Sequence, residues 1–387
     1  MTSKVMSDVR SSVESHQLEW WLYGSAATLA VSLTLAATAP FTRAGASMLY
    51  YKPRSIFRPK SDSQWQEEFN LYRDFSENNL NRTLAMEDFK RMYDGEYLHR
   101  VMGQLSTAVF VGPLAYLYAK GKIPSHLHGQ VALIVSIGVA QWFLGRSNVK
   151  KSIEEEHGRR HERPTGRVPP FGLTEHTLFT MAKLGLVLWS ALNVTFPMSQ
   201  AVMFRESLSS SALKEIAPLR KYVLGATGLF AATASIGTMV AAIDAGKYYN
   251  TFPKMGKKWI PDEIFDLQPT IRNFFENPAL VQLKHRILAV SSLVAYTAVY
   301  AKARKPSCWS QLPPETRMAF TAMIAVVGGQ GVLGVTMLVN AVPTSLALVH
   351  QSGAALIFAS SLWAIHSLRF ARPMQLALRG NALKNMF

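Results

Sequence analysis

Ten histidines occur among 387 residues, and four are distinguished by their neighbours. His99 lies in Leu98-His99-Arg100-Val101, and His285 lies in Lys284-His285-Arg286-Ile287. His176 follows Val168-Pro169-Pro170, and His350 follows Val342-Pro343-Thr344. Each half of the chain therefore carries one histidine of each kind. Paired imidazoles on neighbouring helices are a common way to hold a haem iron from both faces, and bundle cores often house such sites. Cys308 is the single cysteine, so no internal disulfide and no thiolate cluster can form. Imidazole must carry any metal chemistry. His16, His126, His128, His157, His161 and His366 lack such counterparts and read as structural or loop-facing.

Glu96 precedes His99 by three residues, which places both on one face of a helix, one turn apart. The corresponding residue before His285 is Gln282, which carries no charge. One half thus has a carboxylate able to move protons beside its metal and the other does not. The competing reading is an interfacial Glu96 paired with Arg100 or Arg91. A haem also brings two propionates, which call for cations. Arg43, Arg100, Lys254, Arg272 and Arg286 are the candidates, all near one end of the helices.

The elements that position these residues are apolar. Charged residues make up 17% of the chain, against about 25% in ordinary soluble proteins. They cluster between long windows that hold few or none, which excludes wholesale disorder and disfavours a soluble enzyme. A bilayer crossing needs about 20 apolar residues. Windows of that kind run near 21–41, 101–119, 129–145, 173–194 (interrupted only by Glu175 and Lys183), 222–243 and 281–301. The stretch 318–368 has no Asp, Glu, Lys or Arg and is too long for one crossing; Asn340 and Pro343 divide it. The expected fold is all-α and integral to the membrane, with eight transmembrane helices as two pseudo-symmetric four-helix bundles. The implied order is an N-terminal segment at 1–20, a bundle at 21–200, a linker at 201–217, a second bundle at 218–370 and a tail at 371–387.

Helices two, four, six and eight then run in the same direction, so all four histidines fall near the outer face. Short basic connections at Lys120–Lys122 and Lys302–Lys305 place both termini on the inner side. The net charge of +16 is explained by cations flanking the spans, and nucleic acid is not expected as a partner. Residues 1–20 contain Asp8, Glu14 and Glu19, which makes a poor transit peptide by composition.

Six stretches carry a family resemblance: TRAGASM (Thr42–Met48), QWQEEFNLY (Gln64–Tyr72), EYLHR (Glu96–Arg100), NTFPKMGKKWI (Asn250–Ile260), RNFFENPALVQLKHRI (Arg272–Ile287) and ALVHQSG (Ala347–Gly353). With them the chain resembles the haem A synthase family in its eukaryotic mitochondrial form. The resemblance implies oxidation of the C8 methyl of haem O to a formyl group, giving haem A for cytochrome c oxidase. It implies haem B as cofactor on His285 and His350, and haem O as substrate on His99 and His176. Glu96 matches the family's functional glutamate. It further implies O2 or water as the oxygen source, a ferredoxin-type electron donor and a location in the mitochondrial inner membrane. Contact with a haem O synthase and self-association are further partners it allows.

The match is weakest around His176, where Glu175 and Thr177 flank the ligand. No cysteine lies between Phe41 and Glu96, so a mechanism using a cysteine pair there is excluded. Two other functions compete. A di-haem b-type electron-transfer cytochrome would bind two haems without turnover, but the unequal Glu96/Gln282 pair argues against it. A transporter would place polar sites at the bilayer midplane, whereas these histidines lie toward one face.

Overall fold

A computed structural model describes residues 2–36, 57–75, 85–158 and 170–371, with side chains for 16–36, 57–73, 85–147 and 170–371. Arg43, the Thr42–Met48 stretch and residues 372–387 lie outside it. Among the described residues the secondary structure is helical, with one isolated bridge between Met255 and Lys258. The longer helices are α1 (Thr2–Ala36), α2 (Asp62–Phe75), α3 (Met86–Ala119), α4 (Ser125–Gly158), α5 (Pro170–Thr195), α6 (Met198–Glu206), α7 (Ser210–Ala242), α8 (Pro278–Ala303), α9 (Pro314–Val339) and α10 (Thr344–Ser367).

Six stretches are long and apolar enough to cross a membrane: Met86–Ala119, Ser125–Ser147, Pro170–Thr195, Ser210–Ala242, Pro314–Val339 and Thr344–Ala371. The protein is accordingly a multi-pass membrane protein. The other two expected spans fall in α1 and α8, which are also long helices. The polar run Lys284-His285-Arg286 and Lys302 lower the apolarity of α8. Helix α1 starts at Thr2 and runs through the expected boundary at residue 20 without a break. Helix α3 extends well before the apolar window that begins at Val101, because a helix continues past the hydrocarbon wherever its backbone remains bonded. That extension carries Glu96 and His99.

Turn chemistry sets the helix ends. Gly121 adopts φ +62° between Lys120 and Lys122 and turns α3 into α4. Pro343 forbids continuation of α9, and Ala341 and Val342 take the left-handed conformation between α9 and α10. Asn277 opens α8: its side-chain oxygen accepts from the N–H groups of Ala279 and Leu280 at 2.9 and 3.2 Å, with Pro278 as the first helical residue.

Helix α1 packs on α3 and α5; α4 packs on α5; α7 packs on α8; and α9 packs on α10. Helix α3 leans on α1, where the Trp21 indole donates to the Phe110 carbonyl at 3.0 Å, and it stands off from α4 and α5. Helices α5, α7, α1 and α10 meet in the middle. There Thr174 bonds Thr238 at 2.8 Å, and Thr34 bonds Ser352 at 3.2 Å. The main buried cluster includes Leu22, Leu184, Val187, Ile216, Phe320 and Met323. Trp142, Phe143, Val294 and Val332 face outward, as lipid contact favours. A second cluster joins α2 to the start of α3 through Trp65, Phe69, Tyr72, Phe89, Met92 and Tyr93. The Arg58 guanidinium donates to both oxygens of Asp94 at 2.6 and 2.9 Å beside it.

Candidate haem sites

On α3, Glu96, His99, Gly103 and Ser106 recur at three- and four-residue intervals and so form one stripe. The His99 ring faces the His176 ring of α5, with centroids 6.4 Å apart and planes inclined at 67°. Two imidazoles on opposite sides of one metal have centroids roughly 6 Å apart, given metal–nitrogen bonds of about 2 Å. The spacing therefore matches a shared metal. Nδ1 of His99 is buried without a hydrogen-bond partner. Glu96 accepts from Arg100 Nε at 2.8 Å, and both side chains are mostly buried, at 12% and 22% exposure. The sequence left two roles open for Glu96, and the ion pair with Arg100 is present.

The second pair is set differently. His285 Nδ1 bonds the carbonyl of Thr233 on α7 at 3.2 Å, which leaves Nε2 for a metal. His350 lies within electrostatic range of His285, and its Nδ1 is buried and unpartnered. Glycines make room for both rings. A Cβ on Gly237 would lie 3.0 Å from His285 Cε1, and one on Gly334 would lie 3.1 Å from His350 Cε1. Among the described residues no group of three or more His, Cys, Asp or Glu could hold a bare metal ion. Two imidazoles are too few donors for a bare ion, but they suit a macrocycle that brings four nitrogens of its own. The residues present thus fit haem.

The structure adds residues that the sequence reading missed. Gln141 on α4 donates to the His176 carbonyl at 3.2 Å and to Thr180 Oγ1 at 2.6 Å, and its Nε2 lies 3.2 Å from His176 Nε2. Gln330 on α9 donates to the His350 carbonyl at 2.9 Å. The Oε1 atoms of both glutamines are buried and unpartnered. A side chain on Gly353, one turn after His350, would run into Gln330. A signal existed: Gln141-Trp-Phe-Leu-Gly145 and Gln330-Gly-Val-Leu-Gly334 share the spacing Gln-x-x-Leu-Gly.

The basic candidates have varied surroundings. Arg286 donates to the carbonyls of Tyr249, Pro253 and Lys254, while its Nε is buried and unpartnered. Arg272 pairs with Glu276 at 2.7 Å, and Lys254 is exposed. Gln282 donates to the Tyr249 carbonyl at 3.1 Å and so braces the loop before α8. Of the histidines read as structural, His366 is buried against Asn193 at 2.9 Å and beside Arg369, while His16 is near Glu19 at 3.2 Å.

An all-helical membrane protein with two pairs of interior imidazoles is the class that fold and site define. The family described as cytochrome oxidase assembly protein matches residues 19–362, and the chain belongs to it. Among its relatives, the haem A synthase COX15 of Arabidopsis thaliana is 35% identical over 368 residues, covering 95% of this chain and 78% of the relative. That of Homo sapiens is 34% identical over 351 residues, covering 90% and 82%. The haem A synthase of Paracoccus denitrificans (strain Pd 1222) is 32% identical over 362 residues, covering 93% and 89%.

Proposed function

We infer that the chain is a haem A synthase, which oxidises the C8 methyl of haem O to a formyl group. The observation that carries the site assignment is the His99–His176 pair at 6.4 Å with Glu96 one turn away. In this reading eight helices form two related bundles, at about 21–200 and 218–370, in the mitochondrial inner membrane. Support comes from the paired Gln-to-His-carbonyl bonds in the two halves and from the cross-links Thr174–Thr238 and Thr34–Ser352 where they meet.

His99 and His176 hold the substrate haem O by its iron, Gln141 giving up its contact with His176 Nε2 while keeping its other bonds. Glu96 takes the proton released as the methyl is oxidised, acting as a positioned base. Arg100 keeps that carboxylate aimed until the substrate arrives. His285 and His350 hold haem B, which supplies one-electron transfer. Thr233 fixes the His285 tautomer, and Gln330 fixes the turn that carries His350. Arg286 and Lys254 offer cations to propionates. With O2 as oxidant and oxygen source, a ferredoxin-type donor gives the electrons that reduce the second oxygen atom to water; with water as the oxygen source, the electrons taken from the methyl group leave to an acceptor instead.

Co-expression with a haem O synthase followed by pigment extraction tests the assignment. New haem A is expected. Two bound haems with no conversion would instead leave an electron-transfer cytochrome.

A further inference from the structure

Lys183 lies on α5 seven residues after His176, about 10 Å deeper along the helix. His176, Thr180, Lys183 and Val187 share one stripe, because seven residues nearly complete two turns. A charged amine at that depth is costly and is usually functional. Among the described residues no hydrogen bond or ion pair reaches its ammonium. The residue seven after His350 is Ile357, buried at 3% exposure. The amine therefore occurs in one half only, the half with Glu96.

Small residues line the neighbouring helices near that level. A Cβ on Gly103 of α3 or on Gly138 of α4 would meet nothing within 4 Å, and α3 stands off from α4 and α5. Gly138 belongs to the same stripe of α4 as Gln141, which touches His176. A flat ring gripped at His99 and His176 would extend along this stripe, its inner edge coming down to the level of Lys183, about 10 Å along the helix from His176.

Resting on the proposed substrate site, the chemistry of haem O fixes which edge that is. The C8 methyl is adjacent to a propionate-bearing carbon. The hydroxyl that accompanies the farnesyl chain lies across the ring, opposite the propionates. With the propionates toward the outer cations and C8 beside Glu96, the hydroxyl points inward. Haem B carries a vinyl group at that position, which accepts no hydrogen bond.

We propose that Lys183 donates a hydrogen bond to the farnesyl-side hydroxyl of haem O and thereby selects haem O over haem B at the N-terminal site. A site built to bond a hydroxyl discriminates strongly against an analogue without one.

The test uses the purified full chain with its C-terminal site filled. Haem O and haem B are titrated separately, reading the low-spin absorbance band that His99→Ala abolishes. Lys183→Leu is expected to weaken haem O binding about tenfold and leave haem B within about twofold, the loss of one charged hydrogen bond. Lys183→Arg, which keeps a donor, is expected to retain the preference. Lys183→Met, closer in length, gives the same reading if the Leu variant does not fold. Equal weakening of both haems, or unchanged haem O binding, would overturn the proposal. A wild-type chain with no His99-dependent haem O band would remove the site assignment itself, and the proposal with it.

Discussion

Glu96 and Arg100 form an ion pair at 2.8 Å across one turn of α3, with His99 between them in sequence. The pair is mostly buried, so each charge depends on the other for its stability. Removing the carboxylate's charge while keeping its shape isolates the proton-accepting role. Glu96→Gln is expected to retain the His99-dependent haem band and to lower haem A formation by about 10²- to 10⁴-fold, the usual worth of a positioned base. Extracted pigment should be haem O in place of haem A. Undiminished haem A would refute the role.

The glycines beside the C-terminal histidines make a second prediction. Gly237 and Gly334 sit where a methyl group would press on His285 and His350 at 3.0 and 3.1 Å. Gly237→Val and Gly334→Val are expected to displace the rings and abolish the C-terminal haem band, as His285→Ala and His350→Ala would. Gly225 on the same helix as Gly237 meets nothing within 4 Å, so Gly225→Ala should leave the spectrum intact. A full C-terminal haem complement in Gly237→Val would count against the cradle.

The apolar windows predicted the helices well, because hydrocarbon burial dictates composition over about 20 residues. The division at Asn340 and Pro343 falls within the turn between α9 and α10. Helix ends outside the hydrocarbon were less legible: α3 begins fifteen residues before Val101, in a polar segment held by the aromatic platform of Trp65, Phe89 and Tyr93. Recurring neighbours single out His99 and His176, and the structure sets those two rings 6.4 Å apart. The glutamines were harder to read, since the shared Gln-x-x-Leu-Gly spacing marks them as recurring but does not say what they bond until the histidine carbonyls are located. Lys183 was visible only as an interruption of a window, and its place on the His176 stripe gives that interruption meaning.

Gln141 and Gln330 supply a third prediction. Each carboxamide donates to the backbone carbonyl of a histidine and leaves its own oxygen buried and unpartnered. Replacement by Leu removes an unsatisfied oxygen along with the bond, so the net cost should be modest, about 1 kcal/mol. Replacement by Glu would bury a charge and should cost several times more. Thermal unfolding of the four variants checks the ordering. Equal destabilisation by Leu and Glu would show that neither amide is enclosed as described.

Asn277 provides the last. Its oxygen caps α8, while its Nδ2 donates to the Glu263 carbonyl at 2.6 Å and to Asn273 Oδ1 at 2.9 Å. Asn273 in turn accepts from Leu267 N–H and donates to the carbonyls of Leu267 and Thr270. Both asparagines are buried, at 4% and 0% exposure. Asn277→Ala therefore removes the cap and strands a buried carbonyl, for an expected loss of about 2 kcal/mol. Ser209→Ala removes the cap of α7, whose single bond to Ala212 N–H is 3.2 Å, and should cost about 1 kcal/mol. Because α8 carries His285 two turns below its cap, Asn277→Ala should also broaden the C-terminal haem band, whereas Ser209→Ala should not. Calorimetry and the absorbance spectrum, taken on the same preparations, separate the two effects. A destabilised Asn277→Ala protein with a sharp band would mean that the helix start does not position the ligand.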